Sequence, residues 1–210
     1  MLTVLCVCKS GGHYDAEWVR KLRDGCERNV VGRHKFVCLS DIDVPCERIR
    51  LTQDWPGWWS KIEMFRPGVI DGPTLYLDLD TVITGPVDPR VPVDFAMLQS
   101  FWTTEMVGSG VMWFSGLNVP HHVYTKFAKQ PDAYIRHYKR NARGPYVGDQ
   151  AWVWDSMKHE VPRINDYLPG IKSYKMHCVK GLPEDASIVC FHGKPSATEI
   201  HTDWMEKHWA

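Results

Sequence analysis

The sequence predicts a single α/β domain over residues 1–210, with a mainly parallel central sheet flanked by helices. Two observations lead to this fold class. Short apolar segments alternate along the chain with amphipathic segments of helical periodicity, which is the rhythm of βαβ units. The 210 residues contain no linker, internal repeat or low-complexity tract. A chain of this length is typical of one domain that buries about 70% of its unfolded surface.

The elements follow in a regular order. Each predicted strand is a run of apolar residues, and each predicted helix carries apolar residues three or four positions apart. Strands are predicted at 2–8, 35–39, 74–78, 95–99, 110–114 and 187–191, and helices at about 16–26, 60–66, 123–129, 132–139 and 149–158. Glycine and proline pairs at 67–68, 72–73, 85–86 and 144–145 mark loops. In an open α/β sheet the ligand lies beyond the carboxyl ends of the strands, so residues there are the first site candidates.

Composition excludes some partners and indicates a compartment. Lysine plus arginine and aspartate plus glutamate number 25 each, so no overall field draws the chain to nucleic acid or to an anionic membrane. No apolar run is long enough to span a membrane, and the first residues lack a basic leader. Of seven cysteines, Cys6, Cys8, Cys38 and Cys190 lie inside apolar runs and are interpreted as buried thiols. We therefore expect a protein of the reducing cytoplasm.

Two aspartates, Asp78 and Asp80, close the apolar run that begins at Leu75. Because side chains alternate along a strand, both carboxylates should project to the same side, roughly 6–7 Å apart at their Cα atoms. Paired carboxylates suit Mg²⁺ or Mn²⁺, which keep coordination positions for substrate phosphates. Acidic residues after a strand often only solvate a turn, so the pair gains weight from the residues around it.

A second candidate segment follows the last predicted strand. His192 could join the two aspartates on a metal ion and leave about half an octahedron for a diphosphate. Gly193 lets backbone approach a ligand closely, and Lys194 is a mobile cation suited to phosphate oxygen. Taken alone, His192 could equally be a surface histidine in a turn.

Two more segments carry polar residues next to predicted elements. Asp149 and Gln150 precede an apolar helical pattern, where Asp149 could act in catalysis or could only favour the helix N-terminus. Ser109 and Gly110 lead into a strand, where small residues would let a sugar lie against the backbone or would form an ordinary turn. Lys61 could reach the site or solvate a helix.

The aromatic residues are also open to two interpretations. The chain has ten tryptophans, and Trp55, Trp58 and Trp59 flank one proline and glycine pair. Aromatic faces stack on sugars and on bases, but tryptophan is more often core or interface material. Tyr14, in the loop after the first strand, could likewise contact a ligand or simply pack.

As an ordered set, these motifs resemble those of the GT-A glycosyltransferases of the glycogenin-like type, family 8 and its small bacterial and phage relatives. The resemblance covers nearly the whole chain, from the first strand to Lys194. Residues 75–83 are similar to the family's Asp-x-Asp strand, and Lys61 is similar to its lysine before that strand. Residues 108–110 resemble its Asn-Ser-Gly with Gly108 in place of asparagine, 148–150 its Gly-Asp-Gln, and 192–195 a compressed His-x-x-Gly-x-x-Lys-Pro.

The resemblance implies a role for each matching residue. It implies that Mn²⁺ or Mg²⁺ is bound by Asp78, Asp80 and His192. It implies that Asp149 and Gln150 lie beside the transferred sugar as the catalytic residues. It implies that Tyr14 lies beside the nucleotide base and that Lys194 contacts the diphosphate. The full set of residues implied to contact the donor nucleotide is Lys9, Tyr14, Lys61, Asp78, Ser109, Gly110, Gly193 and Lys194.

The implied activity is the metal-dependent transfer of a sugar from a nucleotide-diphosphate sugar, a UDP-sugar first of all, with retention of anomeric configuration. The acceptor stays open among a sugar, a lipid-linked glycan, a protein and nucleic acid, as does the oligomeric state. A phage-encoded enzyme in a host cytoplasm also fits the resemblance. Two alternatives remain. One is a nucleotidyltransferase, whose glycine-rich phosphate loop is only faintly echoed by residues 9–12; the other is a non-catalytic nucleotide-sugar or carbohydrate-binding module.

One basic stretch stands out in the otherwise neutral chain: Lys126, Lys129, Arg136, Lys139, Arg140 and Arg143. Such a stretch is usually a solvated helix face. The alternative is that it receives a phosphorylated or polyanionic acceptor, including nucleic acid, whose affinity would then fall steeply with salt.

Overall fold

The computed structural model describes residues 1–140 and 146–210, so Arg143 and the loop glycine and proline at 144–145 lie outside the described residues. It confirms the α/β fold. A six-stranded sheet has the strand order β3-β2-β1-β4-β7-β6. These strands are β1 Leu2–Cys8, β2 His34–Ser40, β3 Glu47–Arg50, β4 Thr74–Leu77, β6 Phe95–Gln99 and β7 Val107–Phe114.

The strand order creates a crevice at the carboxyl end of β1. Strands β3, β2, β1 and β4 run parallel, whereas β7 is antiparallel to β4 and β6 is antiparallel to β7. The chain therefore moves from β1 to one side of the sheet and returns on the other side as β4. Ligands of open α/β sheets bind at such a reversal of strand order, which lies here between the end of β1 and the end of β4.

Both faces of the central sheet are buried. In β1, Val4, Cys6 and Cys8 belong to the hydrophobic cluster on one face, and Leu5 and Val7 belong to the cluster on the other. This explains why the strands read as continuous apolar runs, because a parallel sheet is covered on both sides. The helices that cover the faces, together with a short one near the end of the chain, are α1 Ala16–Asn29, α2 His122–Phe127, α3 Pro131–Arg140, α4 Gly148–Ser156 and α5 Asp203–His208.

A second sheet of three strands was not predicted. Its order is β5-β9-β8, formed by β5 Thr81–Ile83, β8 Ile171–Ser173 and β9 Ile188–Cys190. The strand predicted at 187–191 is β9, so it belongs to this small sheet and not to the central one. Three-residue strands escape sequence reasoning because so short a run shows no measurable alternation.

The run 75–83 differs from the predicted single strand. It contains β4, a turn at 78–80 and β5, and the turn is closed by a hydrogen bond from Thr81 N to Asp78 O of 3.1 Å. Asp78 and Asp80 therefore lie in the turn between two sheets, and strand alternation does not set their relative orientation. In this turn the Asp78 side chain contacts Lys61, and the Asp80 side chain contacts Tyr14.

The other predicted elements are present with shifted ends, whereas β3 and α5 were not predicted. The helix predicted at 60–66 is a 3-10 helix, Gly57–Phe65, and α1 begins at a cap where Asp15 accepts hydrogen bonds from Glu17 N and Trp18 N. All seven cysteines are free, and all but Cys46 are buried. None of the helices in the described ranges is long and apolar enough to cross a membrane.

Candidate functional site

A cavity of about 990 Å³ opens at the carboxyl ends of β1 and β4. Its size is at the upper end of the range typical of small-molecule sites. It brings together nearly all of the residues that the sequence predicted for a site: Lys9, Tyr14, Lys61, Asp78, Asp80, Ser109, Gly110, Asp149, Gln150, His192 and Gly193. Lys194 is the one predicted residue that does not line it.

Lys61 is the centre of a buried charge cluster. The 3-10 helix points its side chain inward, and its Nζ lies 3.0 Å from Asp78 Oδ1, 3.1 Å from Asp149 Oδ2 and 3.0 Å from Ser109 Oγ. Burial would lower the pKa of Lys61, but the charges of Asp149 and Asp78 outweigh it and raise the pKa. Lys61 is therefore a permanent cation held between two carboxylates, and it does not simply solvate a helix.

Asp149 belongs to the cavity and does not cap its helix. The cap position of α4 is Val147, which makes no side-chain cap hydrogen bond, while Asp149 contacts Lys61 and Ser109. Burial raises the pKa of Asp149 by more than the charge of Lys61 lowers it. Gln150 follows on the same helix and also lines the cavity.

Asp78 has a partner that the sequence did not indicate. The Tyr76 hydroxyl donates to Asp78 Oδ1 at 2.5 Å, and the phenol is fully buried. A tyrosine in the middle of an apolar strand reads as core material, which is why it escaped notice. Its position two residues before Asp78 was the available signal, because side chains i and i+2 of a strand share a face.

Asp80 lies against the loop that follows β1. The Tyr14 hydroxyl donates to Asp80 Oδ2 at 2.9 Å, so Tyr14 contacts a carboxylate of the site. Burial and the neighbouring charge of Asp78 raise the pKa of Asp80 to about 7, although the hydrogen bond from Tyr14 opposes the rise. The charge of Lys61 also opposes the rise, but burial and the charge of Asp78 outweigh it.

His192 follows β9 and is held at two points. Its Nε2 lies 2.6 Å from Ser173 Oγ, and its backbone oxygen accepts a hydrogen bond of 2.6 Å from Lys175 Nζ. The ring stacks on Phe101 with centroids 5.7 Å apart. Burial and the charge of Lys175 lower the pKa of His192, so the imidazole is neutral at neutral pH. Neither Ser173 nor Lys175 was found from the sequence, because residues 171–178 carried no strand or helix signal.

The predicted metal ligands share the cavity without forming a compact set. Within residues 1–140 and 146–210, no three histidine, cysteine, aspartate or glutamate side chains are grouped closely enough to hold a metal ion. Their chemistry nevertheless fits a divalent cation, because two carboxylates and a neutral imidazole face one cavity. The raised pKa of Asp80 reflects negative charge that such a cation would neutralise.

The two outer lysines of the predicted set differ in position. Lys9 lines the cavity, and its Nζ lies 2.6 Å from Asp41 Oδ2 and 3.0 Å from Asp54 Oδ1. Burial alone would raise the pKa of Asp41, but hydrogen bonds from Lys9 and Ser10 outweigh it and lower the pKa to about 2. Lys194 lies outside the cavity, where its Nζ is 2.8 Å from Glu199 Oε1.

The tryptophans divide between core and cavity rim. Trp55 and Trp59 are buried and pack against Phe127, as core packing predicts. Trp58 is 56% exposed and lies on the rim over Gly148, whose φ is +69°. A Cβ at Gly148 would stand 2.7 Å from Trp58 Nε1, so both the backbone angle and the indole require glycine here.

The basic stretch lies away from the cavity. Lys126 is on α2, Arg136 and Lys139 are on α3, and Lys129 lies between the two helices. None of these four side chains lines the cavity. Whether the stretch receives an acceptor stays a prediction.

No family model and no curated protein sequence matches the chain. Solved structures do. The chain resembles the glycosyltransferase GlyE of Streptococcus pneumoniae TIGR4 with a TM-score of 0.67 at 12% identity, over 100% of this chain and 60% of GlyE. The apo form of GlyE gives 0.61 at 12% identity, over 99% of this chain and 59% of GlyE. An active-site mutant of LgtC gives 0.65 at 9% identity, over 98% of this chain and 93% of LgtC.

The chain thus spans about three fifths of the length of GlyE and nearly all of LgtC. Identities of 9–12% bear on the fold alone. The expected fold is confirmed on this ground: the chain has the GT-A fold of glycosyltransferases.

Proposed function

We propose that this chain is a metal-dependent glycosyltransferase that moves a sugar from a nucleotide-diphosphate sugar, a UDP-sugar first of all, to an acceptor hydroxyl with retention of anomeric configuration. One observation carries the proposal. A single cavity at the carboxyl ends of the central strands contains the buried Lys61, Asp78 and Asp149 cluster on one side and Asp80 with His192 on the other. The glycosyltransferase fold gives this arrangement its chemical context.

The sugar side of the reaction belongs to Asp149 and Gln150. When the bond from the anomeric carbon to the diphosphate oxygen breaks, its electron pair leaves with the diphosphate and the carbon becomes oxocarbenium-like. The Asp149 carboxylate or the Gln150 amide oxygen stabilises that carbon. The acceptor oxygen then bonds to it, and the acceptor proton passes to the departing phosphate oxygen. The charge of Lys61 favours the ionised form of Asp149, and the ion pair holds the side chain in place.

We assign the leaving group to Asp78, Asp80 and His192; Asp78, which also contacts Lys61, therefore belongs to both sides of the cavity. These residues would hold Mn²⁺ or Mg²⁺, which when bound supplies charge neutralisation for the departing diphosphate. Tyr14 orients the Asp80 carboxylate. We further propose that the loop from Lys9 to Tyr14 lies beside the nucleotide base, because it adjoins both the cavity and Asp80.

The cellular setting follows from the thiols. All seven cysteines are free, and Cys6 and Cys38 are paired register neighbours on β1 and β2. Such thiols suit a reducing compartment. We propose a cytoplasmic enzyme, including the case of a phage protein in a host cytoplasm.

A donor panel tests the proposal. The protein is incubated with UDP-, GDP-, ADP- and TDP-sugars and Mn²⁺, and nucleotide diphosphate release is measured with and without chelator. We expect release from one donor class and its loss on chelation. Proton NMR of the first-formed product should show the anomeric coupling of the donor. Release of pyrophosphate from a nucleoside triphosphate and a sugar 1-phosphate would instead indicate a nucleotidyltransferase, and binding without turnover a non-catalytic module.

A further inference from the structure

Three lysines line the cavity within the described residues, and two of them are neutralised by the protein itself. Lys61 lies between the carboxylates of Asp78 and Asp149. Lys9 forms ion pairs with Asp41 and Asp54. A ligand phosphate would have to compete with these carboxylates for either ammonium group, so neither lysine offers an unbalanced positive charge.

Lys175 is the third, and its contact is with a neutral group. Its Nζ donates to the backbone oxygen of His192 at 2.6 Å, and no ion pair joins it to a carboxylate in the part of the chain that the structure describes. An ammonium group has three donors, so two remain for a ligand. The same Nζ lies 3.7 Å from the position that a Cβ on Gly193 would occupy, which places it at the bare backbone beside the candidate metal ligand.

The position of Lys175 is fixed by its neighbours on both sides. Ser173, which ends β8, contacts the His192 ring through its hydroxyl at 2.6 Å. Tyr174 stacks on Phe191 with ring centroids 4.6 Å apart and an angle of 15° between the rings. The segment that carries Lys175 is therefore attached to the end of β9, and its ammonium group keeps its place relative to His192.

Lys194, in contrast to Lys175, is exposed and paired with a carboxylate. Its side chain is 78% exposed, and its Nζ pairs with Glu199 at 2.8 Å. Glu199 is in turn held by the Ser196 backbone N–H, which donates to Glu199 Oε2 at 2.6 Å. Lys194 is thus tied to the short helix that follows it, and it does not line the cavity.

We propose that Lys175, and not Lys194, is the cation that contacts the diphosphate of the bound nucleotide. The inference rests on the proposed function, since it takes a nucleotide-diphosphate sugar as donor. When the bond between sugar and diphosphate breaks, the electron pair stays on the phosphate oxygen. The Lys175 ammonium neutralises part of that growing charge while keeping its own proton.

The test compares three variants, each of which removes the positive charge of one lysine. Isothermal titration calorimetry with Mn²⁺ measures the affinity of UDP, GDP, ADP and TDP, and of the matching nucleoside, for the wild type and for Lys175→Ala, Lys194→Ala and Lys180→Ala. Lys180 is exposed near the same segment and serves as the charge control. Lys175→Met, which keeps the length of the side chain, and Lys175→Arg, which keeps the charge, separate charge from packing, and thermal unfolding checks that each variant is folded.

We expect Lys175→Ala and Lys175→Met to weaken the binding of the preferred nucleoside diphosphate by about tenfold or more, the loss associated with one hydrogen bond to a charged group. Nucleoside affinity should not change, Lys175→Arg should recover part of the loss, and Lys194→Ala and Lys180→Ala should stay within about twofold of wild type. If wild type and Lys175→Met bind the diphosphate equally well, or if Lys194→Ala loses more diphosphate affinity than Lys175→Ala, the inference about Lys175 is wrong and the proposed function is unaffected. A wild type that binds none of the four diphosphates overturns the proposed function as well.

Discussion

The two walls of the cavity balance their charges in different ways. The central-sheet wall, formed by Lys61, Asp78, Ser109 and Asp149, places one buried cation between two carboxylates. The small-sheet wall, formed by Tyr14, Asp80, Lys175 and His192, has no such internal pairing. There the pKa of Asp80 rises to about 7, and the Lys175 ammonium donates to a backbone oxygen and forms no ion pair within residues 1–140 and 146–210.

This difference supports the proposal that each wall receives a different part of the ligand. In the central-sheet wall the Lys61 ammonium offsets part of the charge of the two carboxylates and holds Asp149 in a fixed position, which suits a sugar that must be positioned accurately. In the small-sheet wall, Asp80 and Lys175 form no ion pair with each other. This arrangement suits the proposed divalent cation and diphosphate, because the cation would neutralise Asp80 and the diphosphate would neutralise Lys175. The following changes break or sharpen this contrast, beginning with the largest effect.

Replacement of Lys61 by methionine should break the central-sheet wall. It leaves two neighbouring carboxylates without their cation, and removal of one partner from a buried ion pair costs about 3–5 kcal/mol of unfolding free energy. Urea denaturation at neutral pH measures the loss. Lys35→Met is the matched control, because Lys35 pairs with Glu47 at 3.5 Å on the sheet edge, where an exposed pair contributes less than about 1 kcal/mol. Equal losses in the two variants would show that charge balance does not hold this wall.

Asp149→Asn should separate the proposed catalytic role of that wall from its structural role. The amide keeps the shape of the side chain and removes the charge beside the anomeric carbon, so donor hydrolysis should fall roughly a hundredfold or more. Nucleoside diphosphate affinity should change far less, because the diphosphate is assigned to the other wall. Nucleotide release assays and calorimetry measure the two quantities.

Asp155→Asn is the control for this experiment, because Asp155 lies on the same helix and outside the cavity. It accepts hydrogen bonds from Tyr138 and Tyr146, so its loss should lower stability while leaving donor hydrolysis near wild type. Unchanged hydrolysis in Asp149→Asn would remove the catalytic assignment.

The small-sheet wall should make the metal-free protein less stable as the pH rises. The folded-state pKa of Asp80 is raised to about 7, so the folded protein binds this proton more tightly than the unfolded chain does. The resulting stabilisation is complete below the unfolded pKa of about 4 and is lost as the pH passes about 7, a change on the order of 2–4 kcal/mol. His192, whose pKa is lowered, contributes with the opposite sign.

The difference between wild type and Asp80→Asn isolates the contribution of Asp80. Thermal unfolding between about pH 5 and pH 8 with chelator should show a steeper decline in wild type than in the variant. Excess Mn²⁺ should restore stability at the upper end of this range in wild type only. Parallel pH profiles for the two proteins would contradict the unbalanced state of this wall.

The sequence located the central-sheet wall better than the small-sheet wall, and the reason is physical. Asp78 follows the apolar run of β4 and Asp149 lies at the start of the helical pattern of α4, and both patterns can be read from the sequence. Ser173 ends the three-residue strand β8, which has no such pattern, and Lys175 follows it. Lys194 was expected in the site because residues 192–195 resemble a family motif. Its long side chain is instead placed by a contact with Glu199 that the motif does not reveal.

Tyr14→Phe should give the smallest effect and tests how the small-sheet wall is tuned. The variant keeps the edge-on packing of the ring against Trp18, with centroids 4.9 Å apart, and removes only the 2.9 Å hydrogen bond to Asp80. That bond favours the ionised carboxylate, so its loss should raise the pKa of Asp80 further and move the pH-dependent decline in stability upward by up to about one pH unit. Above that transition, the variant should lose about 1 kcal/mol of unfolding free energy.

Tyr124→Phe is the control, because Tyr124 packs against Trp55 away from the cavity, and this variant should leave the pH profile unchanged. If the two variants give the same profile, Tyr14 does not set the charge of Asp80, and its place in the cavity has to be explained by contact with the ligand.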